Sequence, residues 1–99
     1  MVTVVWETWL KKGNGDEGLK ITRQIWSDMQ KFKGYISHSI LVDKDNKEHL
    51  LVFSKWENRA LADRIKDEYA NAETVKLITT ILECPRGRWI FEEDTIINE

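Results

Sequence analysis

Only one cysteine, Cys84, and one proline, Pro85, occur in this chain of 99 residues, and they stand side by side. One thiol excludes an intrachain disulfide framework and leaves no multi-cysteine metal motif. A reducing cytoplasm is therefore the expected compartment. Basic residues are too scattered to grip a phosphate backbone. Lys11-Lys12 is the sole adjacent pair and the formal net charge is -2, so no nucleic acid is expected as a partner. No apolar stretch approaches the roughly 20 residues that cross a bilayer, and no membrane partner is expected. The opening Met1-Val2-Thr3-Val4-Val5-Trp6 lacks the positive leader and cleavage site of a secretory signal. Gly-x-Gly-x-x-Gly, phosphate-loop and Gly-x-Ser-x-Gly patterns are missing too, which removes support for nucleotide-dependent and serine-hydrolase chemistry. Histidine is scarce: His38 and His49 have no adjacent third ligand, and no metal site is expected.

What the chain does have is bulk. Its composition is 41% apolar and 32% charged, with five tryptophans. That balance fits an ordinary globular protein, and the tryptophans either fill a small core or line an aromatic cavity. In His49-Leu50-Leu51-Val52-Phe53-Ser54-Lys55-Trp56, successive side chains of a strand point to opposite sheet faces. Leu50 and Val52 face one way, Leu51 and Phe53 the other, so both faces are apolar. A chain this short covers one face with helices. The other face calls for a second subunit or a large ligand, and a homodimer through the sheet face is expected.

Local patterns give the elements. Val2 to Leu10 reads as a strand rich in β-branched and aromatic residues. Asp16 is placed to cap a helix from Glu17 to Phe32, whose stripe is Leu19, Thr22, Ile25, Trp26, Met29 and Phe32. Lys31 and Lys33 suit its C-terminus, and Gly34 stops it. Tyr35 to Val42 and the His49 run form an antiparallel hairpin around a turn centred near Asp45, which would bring His38 and His49 onto neighbouring strands. A helix starting at Glu57-Asn58 carries Ala60, Leu61, Ile65 and Tyr69 inward, and Asn71 interrupts or recaps it. A further helix turns Val75, Ile78, Ile81 and Leu82 inward and ends at Cys84-Pro85. Arg88 to Ile97 is the last strand. This order predicts an α+β fold over residues 1–99 as one domain: a ferredoxin-like split βαβ with a four-stranded antiparallel sheet and helices on one face.

Length and element order, Phe32-Lys33-Gly34-Tyr35-Ile36-Ser37-His38-Ser39-Ile40-Leu41 and Leu51-Val52-Phe53-Ser54-Lys55-Trp56-Glu57-Asn58 together resemble the antibiotic biosynthesis monooxygenase family. The resemblance implies a dimeric α/β barrel with a substrate cavity between sheet and helices in each subunit. It also implies a cofactor-independent monooxygenase acting on a small aromatic or enolic compound, with no cofactor required. The family's haem-degrading branch would need a first-strand asparagine and a histidine in the helix after Trp56, and this chain has neither. The alternative is a non-catalytic dimer that binds a small apolar or aromatic ligand or serves a regulatory role.

Three residues are the candidate catalytic groups. Trp56, at the strand end, either offers its indole N–H to a substrate oxygen or closes the end of the core. Glu7 lies in an otherwise apolar strand, where burial would raise its pKa and make it a base, whereas on a wet outer face or at the rim of the dimer it is merely the polar half of an alternation. His38, alternating with Ile36 and Ile40, is the second possible base. His49, beside charged residues, is expected at the surface. Trp6, Trp26 and Tyr69 are the expected substrate-binding side chains, with Tyr69 matching the phenol-oxidising branch of the resembled family. Arg23, Arg59 and Arg64 are expected to stay solvated, and Glu92-Glu93-Asp94 to form a solvated edge or salt bridges across the dimer.

Overall fold

A computed structural model describes residues 1–97. The elements are β1 (Val2–Trp9), α1 (Gly15–Met29), β2 (Tyr35–Val42), β3 (His49–Trp56), α2 (Arg59–Tyr69), α3 (Glu73–Thr79) and β4 (Gly87–Glu92). The strands form one open antiparallel sheet in the order β2-β3-β1-β4. This is the ferredoxin-like α+β arrangement that the element order predicted.

Register decides what each sheet face carries. Val4 lies opposite both Ser54 and Ile90, and Trp6 opposite both Val52 and Arg88. Val2, Val4, Leu50, Val52 and Trp56 are buried with Ile25, Trp26, Met29, Ile65 and Ile78 of the helices. The opposite face leaves Phe53 42%, Trp89 48% and Phe91 54% exposed. The alternation read from the β3 run therefore holds, and the helices cover one face.

Several local expectations need correction. Helix α1 starts at Gly15, Asn14 is its N-cap without a side-chain bond, and Asp16 sits inside the first turn. There its charge, with that of Glu17, meets the positive end of the helix dipole. The helix ends at Met29, so Lys31 and Lys33 follow it, and Gly34 turns the chain at a φ of 94°. A side chain is excluded at Gly18 as well, because a Cβ would lie 2.1 Å from Leu10 Cδ1. Asn58 does cap α2, its side chain accepting from the Leu61 N–H at 2.9 Å. Ala62 rather than Ala60 is buried with Ile65, because Ala62 stands three residues from Ile65 on the same helix face. Asn71 falls in the break before α3, whose N-cap is Ala72. Strand β4 ends at Glu92, not Ile97, since Glu92 pairs with Val2 and β1 has no further residue to offer. Of the acidic run, Glu92 and Asp94 are exposed, and Glu93 is tied within the chain, Lys55 Nζ lying 3.2 Å from Glu93 Oε1.

Candidate functional site

Between the covered sheet face and the three helices lies a cavity of about 700 Å³, within the usual range for small-molecule sites. Strand periodicity delivers Trp6, Val52 and Trp56 to it from β1 and β3, and helical spacing delivers Trp26 and Met29 from α1. Three tryptophans give it flat apolar walls. Tyr69 lines it from the end of α2, but its hydroxyl donates to Asp28 Oδ2 at 2.6 Å and lies 2.7 Å from Thr74 Oγ1. Burial, reinforced by Asp28, raises the Tyr69 pKa, so the phenol stays protonated.

Of the expected substrate-binding residues, Trp6, Trp26 and Tyr69 all reach the cavity. The expected catalytic groups fare differently. Trp56 lines the cavity and is 3% exposed, but its indole N–H donates to Ser54 Oγ at 3.0 Å. Ser54 in turn donates to the Val4 carbonyl at 3.1 Å. The N–H is thus engaged inside the sheet, and Trp56 offers the cavity its ring rather than a donor.

Glu7 is not in the cavity. Odd-numbered β1 residues point to the other sheet face, where Glu7 Oε2 meets His49 Nε2 at 2.8 Å. His49 Nδ1 lies 2.8 Å from Asp43 Oδ2, and its ring stacks on Trp9 at 3.7 Å and 7°. His49 is therefore a tied, partly buried residue rather than a solvated one. His38 points to the helix side, opposite Ser54, so the two histidines lie on different faces. It flanks the cavity rather than lining it: its ring packs 5.4 Å from Trp26, and Nδ1 shares a hydrogen bond with the Tyr35 hydroxyl. Burial lowers the His38 pKa, which keeps the ring neutral. Tyr35 packs edge-on against Trp56 at 5.8 Å, closing an aromatic chain from Trp26 to Trp56.

The cavity's charged groups were not among the expected ones. Arg86 and Arg88 line it, with their Cζ atoms 4.8 and 5.5 Å from the Trp6 ring centroid. Both distances are within cation–π range. Arg88 Nη2 donates to Asp63 Oδ1 at 3.0 Å, while its Nε is buried without a partner among the described residues. Arg86 is half-buried and makes no ion pair among the described residues, and burial lowers its pKa. The cavity's own carboxylates, Asp67 and Glu83, are exposed at its rim beside Lys66. One signal in the sequence points to Arg88: it alternates with Trp89 on β4, so it must face the side opposite that tryptophan. Among the described residues, no group of three or more His, Cys, Asp and Glu is placed to hold a metal ion, and no helix is long and apolar enough to cross a membrane.

A ferredoxin-like domain with a tryptophan-walled cavity between sheet and helices is the class that fold and site define. The antibiotic biosynthesis monooxygenase family model matches residues 1–68, and the chain belongs to that family. Solved structures agree on the fold. An antibiotic biosynthesis monooxygenase superposes with a TM-score of 0.84 at 17% identity, covering 96% of this chain and 100% of that one. SnoaB, a cofactor-independent oxygenase from Streptomyces nogalater, gives 0.86 at 13% identity, with coverages of 99% and 97%. A conserved protein from Methanosarcina mazei Go1 gives 0.73 at 16% identity, with coverages of 94% and 92%. No curated protein matches the sequence.

Proposed function

We propose that this protein is a monooxygenase that uses no cofactor and oxidises a small aromatic or enolic compound inside the cavity. The observation that carries the reading is the cavity of about 700 Å³ walled by Trp6, Trp26 and Trp56 in a chain of this family. Likeness in fold to the cofactor-independent oxygenase SnoaB supports it. Flat apolar walls select a planar ring, and exclusion of water strengthens every charge interaction within. The ring hydroxyl or enol loses its proton, and the anion transfers electrons to molecular oxygen. A phenol then becomes a quinone: one oxygen atom is retained as the new carbonyl, and the other leaves as water with two hydrogens from the substrate. With Glu7 on the far side of the sheet and both lining carboxylates exposed, the proton departs to water at the rim.

The same placement of carboxylates favours a second reading, a dimer that binds such a compound without transforming it. Oxygen uptake with naphthols, run with a metal chelator present, separates the two. Uptake that saturates with substrate and yields the quinone is expected. Tight binding with no uptake above the uncatalysed rate would overturn the oxygenase reading in favour of binding.

A homodimer belongs to this proposal. Val5, Leu41, Leu51, Phe53, Trp89 and Phe91 lie on the sheet face away from the helices, and four of them are more than 40% exposed. Contiguous apolar patches of that kind mark association sites. A second copy presenting the same face would cover it through a twofold axis.

A further inference from the structure

The cavity is charged at one end and aromatic along its length. Arg86 and Arg88 sit against Trp6 at the β1–β4 edge. Trp6 and the residue opposite Trp56, Val2, are four positions apart on β1, about 13 Å along a strand. A ligand spanning that distance meets the guanidinium groups at one end and the Trp26–Trp56 walls at the other. A half-buried cation without a carboxylate partner is costly unless something compensates it. Trp6 compensates Arg86 only in part, since the ring face offers a quadrupole and no net negative charge. Asp63 answers one arm of Arg88 and leaves Nε without a partner. Asp67 and Glu83, the acids lining the cavity, are exposed and make no ion pair with Arg86 among the described residues.

We propose that the substrate is an aromatic or enolic acid, its carboxylate held by Arg86 and Arg88 and its ring extending along Trp6 toward Trp26 and Trp56. The assignment rests on reading this cavity as the substrate site. A carboxylate fits better than a lone ring oxygen because a guanidinium fork presents parallel N–H groups to two oxygens at once. It also places the acid away from the ring carbon that is oxidised, so the arginines set specificity for the bound compound.

Calorimetric titration with 2-naphthoate, 2-naphthamide and 2-naphthol at neutral pH tests this. The acid is expected to bind at least tenfold tighter than the amide, the amount one charge-assisted hydrogen bond supplies. Arg86→Gln removes that preference by weakening the acid far more than the amide, and a circular dichroism spectrum matching the parent's shows that the variant is folded. Arg86→Lys keeps the charge, loses the fork and retains part of the preference. Equal affinity for acid and amide would overturn the acid assignment and leave the aromatic cavity standing. So would a preference that survives in both Arg86→Gln and Arg88→Gln, or naphthol binding more tightly than naphthoate, which would place the anion on the ring oxygen. Failure of all three compounds to bind would overturn the cavity reading and the acid assignment with it.

Discussion

Each face of the sheet carries a tryptophan of β1 beside a set of charged groups, and the two sets differ in completeness. On the outer face Trp9 stacks on His49, which is held between Glu7 and Asp43 at 2.8 Å each. On the helix face Trp6 lies under Arg86 and Arg88, with Asp63 as their single close carboxylate among the described residues. The outer set is closed by its own chain and borders a recess of about 190 Å³. The inner set is open and borders the large cavity. Charges satisfied by neighbouring strands hold the sheet together, whereas charges left without partners beside an empty volume call for a ligand.

The largest effect separating the two faces concerns packing. Leu50→Ala removes a side chain that is 1% exposed and is expected to cost about 2–5 kcal/mol in urea denaturation. Phe53→Ala on the outer face, measured at concentrations where the protein is monomeric, should cost under about 1 kcal/mol, because much of that ring is already in water. Equal costs would mean that the outer face is packed within a single chain.

Assembly comes next. If the outer face joins two copies, Phe53→Lys halves the mass measured by light scattering without abolishing ligand binding in the cavity. An unchanged mass would place any interface elsewhere.

A smaller change probes the Trp56–Ser54 pair. Ser54→Ala leaves a buried indole N–H without its acceptor and should cost about 1–3 kcal/mol, read by thermal unfolding. A variant as stable as the parent would show that the N–H has another partner.

The two histidines give the gentlest test, because their pH dependences have opposite sign. Burial acts to lower the His49 pKa, but hydrogen bonds and charge from Asp43 and Glu7 outweigh it and the value is raised. The folded state then holds the extra proton. His49 therefore contributes stability that is complete below the unfolded pKa near 6.5 and is lost as pH rises through the higher folded value. His38 is lowered by burial, so its contribution is present above about 6.5 and is lost as pH falls toward the lower folded value. Nuclear magnetic resonance titration of the two rings should show His49 titrating above His38. Glu7→Gln should bring His49 down and leave His38 where it was.

Much of this architecture is legible in short stretches of sequence. The alternation from His49 to Trp56 assigns Leu50 and Val52 to one face and Leu51 and Phe53 to the other. Asn58 announces the start of α2, and Gly34 the turn into β2. The cavity's tryptophans are legible as aromatic bulk, and Ser54 and Trp56 share a face by being two residues apart. The alternatives that local sequence leaves open have a common cause. Glu7 reads equally as a buried base or as the polar half of an alternation, and it takes the second place because Val5, Glu7 and Trp9 share a face that the helices never cover. Trp56 reads equally as a donor or as packing surface, because its hydroxyl acceptor cannot be distinguished in sequence from any other strand serine. Arg86 and Arg88 drew no notice because nothing near them in sequence reveals that β4 lies beside β1.

Periodicity and capping are properties of a few consecutive residues, set by backbone geometry and side-chain shape, and they sufficed for the elements, their faces and the family resemblance. Compensation of charge is a property of pairs brought together across the chain. His49 finds Glu7, 42 residues away, and Arg88 reaches Trp6, which β1–β4 pairing places directly opposite it. Folding alone settled that pairing, because strand register follows from the burial of the whole sheet rather than from any one strand. It left one cluster of paired charges on the outer face and one cationic cluster facing the cavity.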